Sequence, residues 1–300
     1  MRTHGHAPTS AILLIVGAVL CFTTLDAIVK ILTQRYPVPL IVWARYSVQA
    51  ALILLWLGPT MGTALLRTRR LKLHLFRAVL LPISSFCFFS ALKYLPLAET
   101  TALNYTSPLL VIILAAVFLH ERMTAPRVAL VLAGIAGMLL IVRPGSEIFR
   151  GAAALSLSSA MCYGVFQILT KKLAGEDSRV LLFYPALVGT VMLTAALPLF
   201  ALDFSMPWAD VAIIVGTGVL GTIGHFAFIL AFQRAPASAL TPYGYIQLVW
   251  ATLIGWIVFG AFPDRWSLAG MAVIAGSGLT MAMHERRRVK QATEEPAAVD

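Results

Sequence analysis

Long apolar runs separated by short charged clusters set the pattern of this chain. No Asp, Glu, Lys or Arg occurs in Tyr46–Leu66, Thr100–Leu119, Gly151–Thr170, Val180–Leu202, Val211–Gln233 or Ala235–Pro263. A span needs about 20 apolar residues at ~1.5 Å rise each, so each run predicts a helix that crosses a bilayer. Shorter runs at Ala11–Leu25, Ala78–Leu92, Val128–Val142 and Trp266–Met283 bring the expectation to ten spans joined by short connections.

Composition agrees. The 300 residues are 59% apolar and 12% charged, with more apolar surface than a soluble core of this size hides. The formal charge of +10 is spread over short clusters between apolar runs, whereas a nucleic-acid site needs one continuous basic face. The charges report topology instead. Arg2, Arg67, Arg69, Arg70, Lys72, Arg122, Arg127, Lys171, Lys172, Arg179, Arg234 and the Arg286–Lys290 cluster fall on one side. The other side has Arg35, Lys93, Arg143, Arg150 and Arg265. Positive loops stay in the cytoplasm, so the expectation is an inner-membrane protein with both termini cytoplasmic. Trp43, Trp56, Trp208 and Trp266 lie near span ends and suit interfacial anchoring. Nothing near Met1–Ser10 reads as a cleaved signal peptide. Cys21, Cys87 and Cys162 lie in apolar runs without metal-type spacing, so no metal, disulfide or other cofactor is expected.

The chain repeats itself. Shifted by 140 residues, Phe76–Tyr105 aligns with Gly216–Tyr245 without a gap, pairing Pro96 with Pro236, Thr101 with Thr241 and Tyr105 with Tyr245. One more residue of shift pairs Cys21 with Cys162 and Lys30 with Lys171. Each half then holds five spans, an odd number, so the second half enters the membrane inverted. Inverted repeats place a substrate site near the midplane where the halves meet, exposed alternately to either side. The expected fold is an all-α membrane protein of two inverted five-helix repeats, 1–145 and 146–285, around a central cavity. A disordered cytoplasmic tail is expected over 286–300.

The chain also resembles the drug/metabolite transporter superfamily, in particular its ten-helix members made of two EamA repeats. The resemblance rests on Ala91–Ala98 (ALKYLPLA), Asn104–Leu110 (NYTSPLL), Leu119–Arg122 (LHER) and Ala231–Ala237 (AFQRAPA). The second half departs from the motif: Glu121 aligns with Ala261 and Pro108 with Leu248. The resemblance implies secondary transport of small metabolites, commonly amino-acid export. Uptake or facilitated diffusion of a nucleoside, a vitamin or an S-adenosylmethionine-like compound is the alternative it leaves open.

Candidate chemistry lies where polar residues interrupt the apolar runs. Thr101, Tyr105 and Pro108 share one face of the fourth span, and Thr241 and Tyr245 repeat the pattern in the ninth. Two inward tyrosines would give an amphipathic ligand aromatic walls with hydroxyl handles. Pro108 is expected to kink the fourth span and free a carbonyl. Tyr163 and Gln167 are one turn apart on the sixth span, and Gln167 aligns with Asp26. His225 on the eighth aligns with Ser85. These residues, Thr101, Tyr105, Tyr163, Gln167, His225, Thr241 and Tyr245, form the expected substrate site. Asp26 and Lys30, four apart, are placed to pair, and Arg45 enters from the same side, at a depth where ionisable groups need protein or water. With Glu99 near a helix N-terminus and Pro108, they are the gating or coupling candidates, and proton exchange is left open. Gly216, Gly218, Gly221 and Gly224 make one side of the eighth span small.

No GxxxxGK[ST] motif argues for direct ATP use. An intramembrane enzyme would need a nucleophile with a base, or clustered metal ligands, and neither pattern is found. The expected partners are a small-molecule substrate and lipid, with no nucleic acid; a channel or sensor is the remaining class.

Overall fold

The structure is a computed structural model that describes residues 8–118, 124–143, 147–173, 175–200, 206–235 and 237–294. A few helical side chains, Thr241 and those from 285 onward among them, lie outside that description, as do Pro236 and Leu119–Met123 with Glu121. The described residues form twelve α-helices: α1 (Thr9–Leu32), α2 (Val38–Met61), α3 (Leu71–Leu92), α4 (Leu97–Asn104), α5 (Ser107–Phe118) and α6 (Ala125–Val142) in the first half, then α7 (Glu147–Lys172), α8 (Ser178–Ala196), α9 (Trp208–Arg234), α10 (Ala237–Gly244), α11 (Ile246–Phe259) and α12 (Arg265–Glu294). They supply ten spans, because α4 with α5 and α10 with α11 each share one crossing.

Proline sets several starts. α1, α2, α4 and α9 follow directly on Pro8, Pro37, Pro96 and Pro207, whose φ lies between −61° and −55° with extended ψ. Each proline carbonyl accepts a first-turn N–H, from Ala11, Leu40, Thr100 and Asp210 at 2.8–3.1 Å. A ring that fixes φ and lacks an N–H costs nothing there. Asp177 caps α8 by accepting the Arg179 N–H at 2.8 Å. α11 ends at Gly260, whose φ of +64° suits a residue without Cβ and lets its N–H reach the Trp256 carbonyl. α12 runs past the apolar run to Glu294, so the expected tail is helical in its backbone over 286–294, a stretch free of Gly and Pro.

At Pro108, where a kink is expected, the fourth span is broken into two helices. A proline cannot donate to the carbonyl four residues back and its ring crowds that group, which belongs to Asn104. α4 ends at Asn104, and Pro108 falls in the first turn of α5, where no donor is required. The ninth span breaks at the equivalent place, after Gly244, without a proline at position 248.

Packing follows a two-fold pattern. α1 lies along α9, and the repeat-equivalent pair, α7 and α3, lies together in the same way. α2 packs on α8 and on α9, mirrored by α8 on α3, and α6 packs on its own counterpart α12. Exchange of the halves therefore maps the main contacts onto themselves, as an inverted repeat requires. Small residues allow the closest approaches. Gly218, Gly221 and Gly224 of α9 face Val48, Leu25 with Arg45, and Phe22, while Gly216 has nothing within 4 Å. Gly137 and Gly270 meet where α6 crosses α12: a Cβ on either would lie 2.9 or 2.5 Å from the other's carbonyl oxygen.

Candidate functional site

A cavity of about 310 Å³ lies between the halves. Its walls come from α1 (Phe22, Asp26), α2 (Arg45), α3 (Ser85, Phe89), α7 (Tyr163, Gln167), α9 (His225, Phe228) and the two broken spans (Thr101, Tyr105, Pro108, Tyr245, Gln247). Each break stands one eight-residue helix, about 12 Å, from the end of its span, and the two helices enter from opposite faces. The breaks therefore bring non-helical backbone to mid-depth from both sides.

The aligned tyrosines occupy these breaks. Tyr105 and Tyr245 have ring centres 5.1 Å apart at 54°. The Tyr105 hydroxyl lies 2.6 Å from the Gly244 carbonyl and 2.9 Å from Gln247 Oε1, so one half's tyrosine serves the other half's break. Thr101 also lines the cavity, but its hydroxyl donates to the Leu97 carbonyl at 2.8 Å.

The charges are arranged differently from expectation. Lys30 does not pair with Asp26 and does not reach the cavity. Its ammonium donates to the carbonyls of Leu92 at 2.7 Å and Leu95 at 2.6 Å, because the turn between α3 and α4 offers two acceptors free of helix bonds. Asp26 and Arg45 both line the cavity, yet among the described residues no ion pair joins them within 4.0 Å. The Arg45 guanidinium stacks 4.4 Å from the Tyr46 ring centre and 5.6 Å from that of Phe89. It donates to Ser85 Oγ at 2.9 Å, and its Nε has no hydrogen-bond partner. A carboxylate and a guanidinium thus face one space unpaired. His225 lies edge-on to Phe22, centroids 4.9 Å apart, and Tyr163 stacks on Phe166.

Sequence reasoning missed a chain of small polar groups. Ser84 and Ser159 lie 2.9 Å apart, and Ser159 donates to Asn104 Oδ1 at 3.2 Å, joining α3, α7 and the end of α4. Gln247 was missed as well, although it is the one amide in the Ala235–Pro263 run.

Ties between the halves lie at both ends. At the face carrying the start of α1, Glu176 of the α7–α8 turn accepts from Thr68 at 3.2 Å and lies 3.8 Å from His74. At the opposite face, Asp210 accepts the Tyr36 hydroxyl and lies 3.8 Å from Arg35, and Arg143 bonds Asp264. The Arg143 guanidinium, together with the Ser267 N–H, holds the Asp264 carboxyl well below the usual carboxylate range.

A discontinuous span in each half, meeting at a cavity, is the architecture of a secondary carrier. The EamA-like transporter family model matches residues 9–143 and again 150–283, one match for each half. The chain belongs to the EamA-like transporter family. This EamA-like protein is a multi-pass membrane transporter of small molecules. The riboflavin transporter of Rhizobium johnstonii is 30% identical over 232 residues, covering 77% of this chain and 76% of that one. The pseudopaline exporter CntI of Pseudomonas aeruginosa is 29% identical over 269 residues, covering 88% and 93%. The S-adenosylmethionine uptake transporter of Rickettsia conorii is 26% identical over 235 residues, covering 78% and 79%. A crystal structure at 22% identity matches with a TM-score of 0.66 over 93% of this chain and 98% of that one, a likeness of fold alone.

Proposed function

We propose that this EamA-like transporter moves amino acids, or metabolites that carry an α-amino-acid group, outward across the inner membrane by alternating access, with both termini in the cytoplasm. The observation that carries the reading is that, among the described residues, Asp26 and Arg45 both line the cavity with no ion pair joining them within 4.0 Å. Leaving two opposite charges apart at this depth is costly unless a ligand completes them. A zwitterion does so, its ammonium at Asp26 and its carboxylate at Arg45, in charge-assisted hydrogen bonds. Stacking on Tyr46 and the bond to Ser85 hold the guanidinium in place before the ligand arrives. Phe22, Phe89 and Phe228 offer the remainder of the ligand an apolar, aromatic surround.

The Rickettsia conorii relative is named for S-adenosylmethionine uptake, and that compound carries an amino-acid group beside a planar ring system. The excess of Lys and Arg on the loops that share a side with the termini supports the orientation. The test is counterflow in proteoliposomes with labelled amino acids, S-adenosylmethionine, nucleosides and riboflavin. Saturable exchange of amino-acid-bearing compounds is expected. Exchange confined to riboflavin or nucleosides would overturn the zwitterion reading, and no saturable exchange of any compound would overturn transport of this class.

A further inference from the structure

At the face opposite the start of α1 lies a second polar site, outside the cavity wall. Glu99 stands in the first turn of α4, is 7% exposed, and is not part of the cavity wall. Its Oε2 has no hydrogen-bond partner. Among the described residues, the charged groups that face it are these. From α1, the Lys30 ammonium lies within electrostatic reach. From the end of α6 comes Arg143, and from the start of α12 come Asp264 and the hydroxyl of Ser267. Arg143 and Asp264 are bonded to each other. At the C-cap of α3, Lys93 holds its ammonium over the Tyr94 ring. Between Gly151 and Thr170, α7 has no acidic or basic residue, and α11 has none at all.

A buried carboxylate with one bare oxygen is expensive in its ionised form unless a cation or a proton meets it. A metal cation is disfavoured here, because the Lys30 ammonium lies within electrostatic reach and one neighbouring hydroxyl is far short of the oxygen cage that a hard cation takes. Lys30 itself is engaged. Two of its three N–H groups bond the Leu92 and Leu95 carbonyls, and its ammonium sits 5.6 Å over the Phe259 ring. The lysine thereby ties α1 to the turn that leads straight into α4 and to the end of α11. It can turn fully to Glu99 only by releasing that turn.

We propose that Glu99 is a proton-binding site of this transporter, protonated while Lys30 clasps the α3–α4 turn and deprotonated when that face opens and Lys30 pairs with it. The exchange is balanced: the carboxyl O–H bond breaks, the proton leaves to water at the opening face, and the carboxylate left behind is met by the existing ammonium. The same short helix carries Thr101 on the cavity wall and leads directly into Tyr105 at the break, so its movement reaches the substrate. Coupling of proton to substrate rests on the transport reading above, whereas proton binding at Glu99 does not.

The probe is the proton itself. Infrared difference spectra of the full-length protein in phosphatidylcholine and phosphatidylglycerol vesicles are recorded from alkaline to acid pH. A carboxylic-acid carbonyl band that titrates in the wild type, disappears in Glu99→Gln, and moves to a higher titration midpoint in Lys30→Gln is the expected result. An unchanged band in Glu99→Gln overturns the site. Should that variant fail to assemble, Glu99→Asp must shift the band, and an unshifted band is equally fatal. In vesicles loaded with a pH-sensitive dye, a substrate gradient is expected to drive proton movement in the wild type and not in Glu99→Gln; equal proton flux in both overturns the coupling. If no compound exchanges, the transport reading fails while the infrared titration still decides whether Glu99 holds a proton.

Discussion

Tyr245 places its hydroxyl in space that Gly278 leaves empty: a Cβ on Gly278 would overlap that oxygen and crowd the ring carbon that bears it. The glycine on α12 thus sets where the tyrosine at the break of the ninth span can lie. Gly278→Ala must push Tyr245 toward Tyr105 and into the cavity. Overpacking of this kind costs about 1–3 kcal/mol. A lower melting temperature in detergent, with weaker ligand binding than in the wild type, is expected. Normal values of both would mean that Tyr245 has another position open to it.

Tyr105 makes a contact that a phenylalanine cannot. Tyr105→Phe keeps the ring against Tyr245 but leaves the Gly244 carbonyl at the break without the hydroxyl it accepts. An unsatisfied buried acceptor costs about 1–3 kcal/mol. Thermal unfolding of the variant should report a loss of that order. A loss confined to Tyr105→Ala, with Tyr105→Phe at wild-type stability, would assign the effect to the ring alone.

The parts of this fold that depend on periodicity were legible in the sequence. Ten apolar runs and the register of Tyr105 with Tyr245 led to ten spans, two inverted halves and a meeting point. The tyrosines, Gln167, Tyr163, His225, Asp26 and Arg45 do surround one cavity, because polar side chains in an apolar run avoid lipid and turn inward together. What could not be read was the competition for partners. Spacing alone pairs Asp26 with Lys30. The acceptors that Lys30 uses are 62 and 65 residues away, on a turn whose free carbonyls exist only once α3 and α4 have formed. The break at Gly244 was equally hidden, since its first-half counterpart depends on Pro108 and the second half has Leu248 there.

Asp26 and Arg45 make different predictions for a zwitterionic ligand than for a neutral one. A hydrogen bond to a charged group contributes about 1.5–3 kcal/mol, so Asp26→Asn or Arg45→Gln should each raise the half-saturation concentration about 10- to 100-fold. Methyl-ester analogues, which lack the carboxylate, should bind the wild type no better than they bind Arg45→Gln. Discrimination between ester and acid that survives in Arg45→Gln would remove this guanidinium from carboxylate recognition.

The Arg143–Asp264 tie gives stability a pH dependence of known sign. In an unfolded chain an aspartate titrates at ~3.9; here Arg143 and the Ser267 N–H hold the folded value lower. The stabilisation is therefore fully present above the unfolded value, and it is lost as pH falls from there through the folded one. Asp264→Asn lacks this contribution at every pH. Both partners are about half exposed, so the effect is modest and shrinks as salt rises. Melting temperatures of wild type and Asp264→Asn should differ at neutral pH in low salt, and the gap should narrow as the buffer is acidified below ~4. A gap that stayed constant down to strong acid would show that the charge of Asp264 is not the source of the stabilisation.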